Sequence, residues 1–130
     1  ASGPLALVNP NNGVVQRAVD IKIGGDPIVI DNLVYVGDLN GTVYVLSSDG
    51  TILKKNEMGG KGISGINYWN KSVVISTYDG YIHMLNKESL NIEDSFYLGT
   101  SSSVVFGKLE VKGKYLSLLS SRNRLYVFSL

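Results

Sequence analysis

The sequence predicts an all-β fold built from four-stranded antiparallel repeats of about forty residues, and three observations carry it. Apolar residues come in short alternating runs, enriched in β-branched residues and tyrosine, with 15 glycines and 8 tyrosines in 130 residues. Strands favour those side chains and tight turns favour glycine. The chain is also self-similar: Leu33–Leu46 (LVYVGDLNGTVYVL), Ser72–Leu85 (SVVISTYDGYIHML) and Tyr115–Phe128 (YLSLLSSRNRLYVF) align without a gap. No segment of helical length has helical apolar periodicity, the nearest, Glu88–Glu93, being too short.

Each aligned stretch reads as a hairpin. An apolar strand runs into Asn40-Gly41, Asp79-Gly80 or Arg122-Asn123, and a second apolar strand follows. Asn-Gly and Asp-Gly favour a type I′ turn, in which both residues take positive φ, and Asn123 tolerates the left-handed region where its copy lacks the glycine. A further turn and strand close each unit: Ser48-Asp49-Gly50-Thr51-Ile52-Leu53 in one, and Asn86–Ile92 in the next, with Leu90 where a glycine is expected. Leu5–Val15 has the same form near the N-terminus, so Leu5, Val43, Ile82 and Leu125 are equivalent, 38, 39 and 43 residues apart. Glycines mark the joints at Gly24-Gly25, Gly59-Gly60 and Gly99, where the plain expectation is chain reversal. After each joint one more strand is expected, over Pro27–Ile30, Ile63–Trp69 and Ser103–Val111.

Repeats of this length and strand number are the signature of β-propeller blades. The stretch Asp26–Leu46 (DPIVIDNLVYVGDLNGTVYVL) resembles the PQQ-type (pyrroloquinoline-quinone-type) repeat, and Leu5–Pro10 (LALVNP) resembles the end of another copy. The likeness runs along nearly the whole chain, is sharpest between Asp26 and Gly50, and fades in the last unit. Quinone-binding members of that family carry a Trp after the turn that closes each repeat. Here Ile52-Leu53-Lys54-Lys55 and Ile92-Glu93-Asp94 stand there, and the single Trp, Trp69, falls on a first strand in line with Ile30. The resemblance thus implies the blade fold, with a tilt towards a periplasmic or extracellular protein, and gives poor support to quinoprotein chemistry.

The expected organisation is one propeller-repeat domain over residues 1–130: a partial blade over 5–24, blades over 25–60 and 61–99, and a partial blade over 100–130. Propellers close with roughly four to eight blades, so an arc of just over three leaves end faces to be covered. The expectation is a piece of a larger propeller, or a ring completed by further copies, in which the N-terminal hairpin and C-terminal strands share a blade. A self-contained β-sandwich is the third possibility. The opening Ala-Ser-Gly-Pro, without Met or a leader, fits a processed chain or a piece of a longer one.

Net charge is +1 with scattered basic residues, so no nucleic-acid surface is expected, and no apolar run is long enough for a transmembrane helix. With no cysteine, thiol chemistry and thiolate metal sites are excluded. His83, the only histidine, aligns with Tyr44 and Tyr126 and reads as a packing substitute, no serine or carboxylate partner being placed by motif. Asp26, Asp31, Asp38, Asp49 and Asp79 fall one per turn instead of converging as a calcium loop requires. Gly59-Gly60-Lys61-Gly62 carries a lysine but neither a Walker pattern nor a following helix. Tyr35, Tyr44, Tyr126 and Trp69 sit at periodic strand positions, the pattern of core packing and not of a stacking platform.

The functional expectation is a non-catalytic module for protein interaction or assembly, with no cofactor and no metal. Its partner is another protein or further blades, from other copies or a longer chain. Lys61, on a loop joining two blades, and Tyr78 and Tyr81, flanking the Asp79-Gly80 turn and expected to be the most exposed aromatics, are the candidate contacts. Two alternatives stand beside it. One is a piece of a quinoprotein dehydrogenase, which needs a quinone over a Trp, a Ca²⁺ ion and a catalytic Asp. The other is a carbohydrate-binding module using Tyr78 and Tyr81.

Overall fold

A computed structural model of the chain describes residues 5–8, 10–13, 15–98, 108–119 and 124–129. Thirteen strands and no helix occur among them. They are β1 (Leu5–Val8), β2 (Val15–Val19), β3 (Ile28–Ile30), β4 (Leu33–Gly37), β5 (Thr42–Leu46), β6 (Ile52–Glu57), β7 (Ile63–Trp69), β8 (Ser72–Thr77), β9 (Tyr81–Asn86), β10 (Ile92–Tyr97), β11 (Glu110–Lys112), β12 (Tyr115–Leu119) and β13 (Leu125–Ser129). They form four antiparallel meanders: β1-β2, β3-β4-β5-β6, β7-β8-β9-β10 and β11-β12-β13. Of the expected first strand over Ser103–Val111, Glu110 and Val111 lie in β11. Lys108 and Leu109 lie outside it, Leu109 being buried with its carbonyl taking the Asn67 side-chain amide at 2.5 Å, and residues 103–107 fall outside the described residues. Gly99 and the Arg122-Asn123 turn also fall outside them.

Period-2 alternation decides how the sheets stack. Side chains along a strand point to opposite faces, and here both faces of the middle sheets are apolar. Val36 and Leu46 pack with Val19, Ile21 and Ile23 against the first sheet, with Leu5 and Leu7 beside them. Tyr35, Val43 and Val45 point the other way, onto Ile66, Val73, Ile75, Leu85 and Leu90 of the third. Val74 and Ile82 in turn meet Leu109, Leu116 and Leu118 of the fourth, together with Trp69. Three successive cores therefore run between consecutive sheets, and each fully buried Val, Leu or Ile contributes about 1.5–3 kcal/mol. β3 and β11 both contact β7, which places the first strand of each unit innermost.

The turn chemistry corrects one expectation. At Asn40-Gly41 and Asp79-Gly80 only the glycine has positive φ, +86° and +90°, so these are not type I′ turns. They are three-residue loops ending in a left-handed glycine. The residue opening each loop supplies the reason, because its side-chain oxygen accepts the N–H four residues on. Asp38 takes Thr42 N–H at 2.8 Å, Ser47 takes Thr51 N–H at 3.2 Å, and Thr77 takes Tyr81 N–H at 3.1 Å. The two-residue turns with both φ positive are Asp31-Asn32 and Asn70-Lys71, which join β3 to β4 and β7 to β8.

The glycine joints differ from one another. Gly59 and Gly60 have φ of +72° and +74°, as chain reversal requires. Gly24 and Gly25 lie outside the left-handed region. Gly24 is needed for closeness: a Cβ there would stand 1.8 Å from the Ile63 carbonyl oxygen at the start of the next sheet.

Candidate functional site

The structure brings two of the three residues proposed as contacts, Lys61 and Tyr78, near one another and gives Tyr81 different neighbours. Lys61 is exposed on the loop between β6 and β7, and the neighbouring Gly62 carbonyl accepts the Tyr78 N–H at 3.0 Å. Lys61 and Tyr78 thus occupy one end of a blade. Tyr78, half-buried, lines a cavity of about 310 Å³ along the inner strands with Gly24, Gly25, Asp26, Ser64 and Lys108. Tyr81 lies elsewhere, opposite Tyr97 in the β9–β10 pair, their ring centres 4.8 Å apart, and it stacks on His83 at 5.3 Å. Tyr81 is exposed as expected and Tyr78 is less so; Tyr97 and Tyr115 are the more exposed aromatics that the sequence reading missed.

The inner cavity offers few free polar groups. Asp26 and Lys108, both lining it, form an ion pair of 3.1 Å between exposed side chains. The Ser64 hydroxyl is bonded to Ser76 at 2.9 Å, and both ends of the Asn67 amide are used, on the Leu109 carbonyl and the Tyr68 N–H.

His83 does have a serine partner. Register places Ser95 directly opposite it, with Oγ 2.7 Å from Nδ1. Burial lowers the imidazole pKa, partly offset by the charge of Asp79. No carboxylate is bonded to the ring among the described residues, and the pair sits on the outer two strands, away from the cavity. This is a cross-strand hydrogen bond without the orienting group a nucleophile–base pair needs.

The acidic residues are engaged singly. Asp38, buried, accepts the N–H groups of Asn40 and Thr42 and the Tyr44 hydroxyl, and burial followed by this carboxylate raises the Tyr44 pKa. Asp31 pairs with Lys87, Asp26 with Lys108, and Asp49 and Asp79 accept the hydroxyls of Ser47 and Thr77. Among the described residues no cluster of His, Asp or Glu is arranged to hold a metal ion. Tyr35 and Trp69 are core residues, and Tyr44 and Tyr126 pack half-buried beside the cores, so these four rings form no platform.

A different surface emerges from the repeat register. Leu125 is equivalent to Val43 and Ile82, both 0% exposed, yet it is 68% exposed itself. Val127 and Leu119, on the same face of the last sheet, are 56% and 46% exposed. A shallow hollow of about 300 Å³ runs across this face, lined by Ser117, Leu119 and Leu125 among others.

No protein-family model matches the sequence, and no curated protein matches it. Solved structures do. The computationally designed Ika4 protein superposes with a TM-score of 0.81 at 20% identity, covering 98% of this chain and 80% of that one. The designed Ika8 protein gives 0.79 at 19% identity, and BamB from Moraxella catarrhalis 0.79 at 18%, each over 98% of this chain. The chain spans only 40% of Ika8 and 38% of BamB. Identities this low speak for fold alone, and the neighbours are propellers. In fold the chain is a run of β-propeller blades, stacked face to face around inner strands β3, β7 and β11.

Proposed function

We propose that the chain is a non-catalytic propeller module of PQQ-like type whose work is macromolecular association, with the outer face of β11-β12-β13 as its docking surface. One observation carries this reading: Leu125 stands in solvent where its equivalents Val43 and Ile82 are completely covered by the following blade. Exposed apolar surface of this kind marks an interaction site. The chemistry points the same way. Acidic side chains are engaged one by one in turns and ion pairs, and the Ser95–His83 pair lacks an orienting acid among the described residues. The quinoprotein and carbohydrate readings have less behind them, since Trp69 is buried in a core and Tyr78 and Tyr81 face different surroundings. Lys61 is assigned to a secondary contact at the blade end.

The test is Leu125→Lys combined with Val127→Lys. The variant is expected to abolish concentration-dependent association or precipitation while its unfolding free energy, measured at a protein concentration low enough that neither chain associates, stays within about 1 kcal/mol of wild type, as for exposed positions. Loss of several kcal/mol would show the face to be internal core, and unchanged association would show that it docks nothing.

A further inference from the structure

We infer that the occupant of this docking face is a second copy of the chain, seated head to tail, with the β11-β12-β13 face of one copy on the outer face of β1-β2 of the other. The inference rests on reading the last sheet as a docking surface, and it adds what covers that surface.

Every internal contact between sheets has the same sense. One face of a sheet, carrying Val43 and Val45 or Ile82 and Val74, meets the opposite face of the following sheet, carrying Val73, Ile75 and Leu85 or Leu116 and Leu118. The two faces are unlike, so the contact is heterologous, front onto back. At the last sheet a front is uncovered, shown by Leu125 and Val127. At the first sheet a back is uncovered, shown by Val8. By the anchor alignment Val8 is equivalent to Leu46 and Leu85, both 0% exposed in cores with the preceding sheet, whereas Val8 is 50% exposed. The β1-β2 and β11-β12-β13 sheets therefore each show the half of an interface that the other lacks. The front face at Val43 is already covered by a back face carrying Leu85, within one core. A copy bringing Val8 to Leu125 repeats that arrangement with no new kind of surface.

Joining the two ends into one shared blade fits less well. β11-β12-β13 match the first three strands of a complete sheet and β1-β2 the last two, so a merged blade would hold strand three twice. Face-to-face packing has no such conflict. Heterologous contacts close into a ring when the rotation permits and otherwise run on as a filament. Two copies bent around inner strands present two such contacts at once, so the ring of two is the form expected here.

The absence of cysteine makes the orientation directly readable. Leu125→Cys and Val8→Cys each introduce a single thiol at an exposed site, mixed and oxidised as otherwise intact chains. Head-to-tail packing gives the mixed disulfide at least tenfold over either homodisulfide, and light scattering of the wild type gives twice 14.1 kDa. A Leu125→Cys homodisulfide in excess would mean front-to-front pairing and overturn the inference. So would a wild-type mass of 14.1 kDa at every concentration, and Val127→Cys paired with Val8→Cys repeats the test should Leu125→Cys fold poorly. If no mixed link forms while the double-lysine variant still abolishes self-association, the face meets another copy in a different seating, and only the head-to-tail arrangement falls.

Discussion

Leu90→Ala is expected to lower the unfolding free energy by about 2–5 kcal/mol, the range for emptying a buried leucine site. Leu90→Gly is expected to cost no more than the alanine, which is unusual. Leu90 ends the turn between β9 and β10 with φ +62° and is 0% exposed, its side chain in the core between the second and third sheets. A non-glycine residue in the left-handed region costs roughly 1–2 kcal/mol, and that cost is tolerated because the side chain fills the core. Its carbonyl also takes the Asn56 amide at 2.7 Å across the blade boundary. Alanine loses the packing and keeps the strain. Glycine gives up one further methyl, worth about 0.8 kcal/mol, and releases the strain. Denaturant unfolding of the two variants checks this: glycine worse than alanine by 1 kcal/mol or more would contradict the left-handed assignment.

Gly24→Ala carries the second large effect, about 3 kcal/mol or more, because overpacking against fixed backbone leaves no soft neighbour to yield. The methyl would stand 1.8 Å from the Ile63 carbonyl oxygen. Neither segment can retreat easily. The Gly24 N–H is bonded to the Gly37 carbonyl at 2.9 Å, and the Ile63 N–H to the Asp38 carbonyl at 2.8 Å. Gly13→Ala is the control: φ is +71° but nothing lies within 4 Å, so only about 1 kcal/mol is expected from the backbone. Similar losses at the two positions, read from thermal or urea unfolding, would contradict the close blade approach.

How much of this was legible in the sequence depends on the range of the interaction concerned. Alternation in LVYVG and TVYVL is local, and it marked the start of β4 at Leu33 and the end of β5 at Leu46. The type of turn was not legible. Asn-Gly is a two-residue signal, whereas the loop it sits in is set by Asp38, whose carboxylate gathers N–H groups two and four residues on. Thr77 and Ser47 at the same position were the available clue. The joint at Gly24 looked like Gly59-Gly60, yet its cause is a carbonyl in the next sheet, 39 residues away. The Ser95–His83 contact depended on strand register, which has no short motif. The docking face was half visible. Aligning Leu125 with Val43 and Ile82 needed sequence alone, but only stacked sheets show which equivalents are covered.

Positions 82 and 125 are the same place in the repeat and differ only in whether a following blade covers them. Unfolding free energies of Ile82→Lys and Leu125→Lys, measured side by side in urea at low protein concentration, test this most directly. Ile82→Lys is expected to lose several kcal/mol or to give no folded protein, because a lysine is forced into a sealed core. Leu125→Lys is expected to change by no more than about 0.5 kcal/mol. Equal and large losses at both sites would contradict it, because the last face would then be part of a closed core and the chain would have no blade face open to a partner.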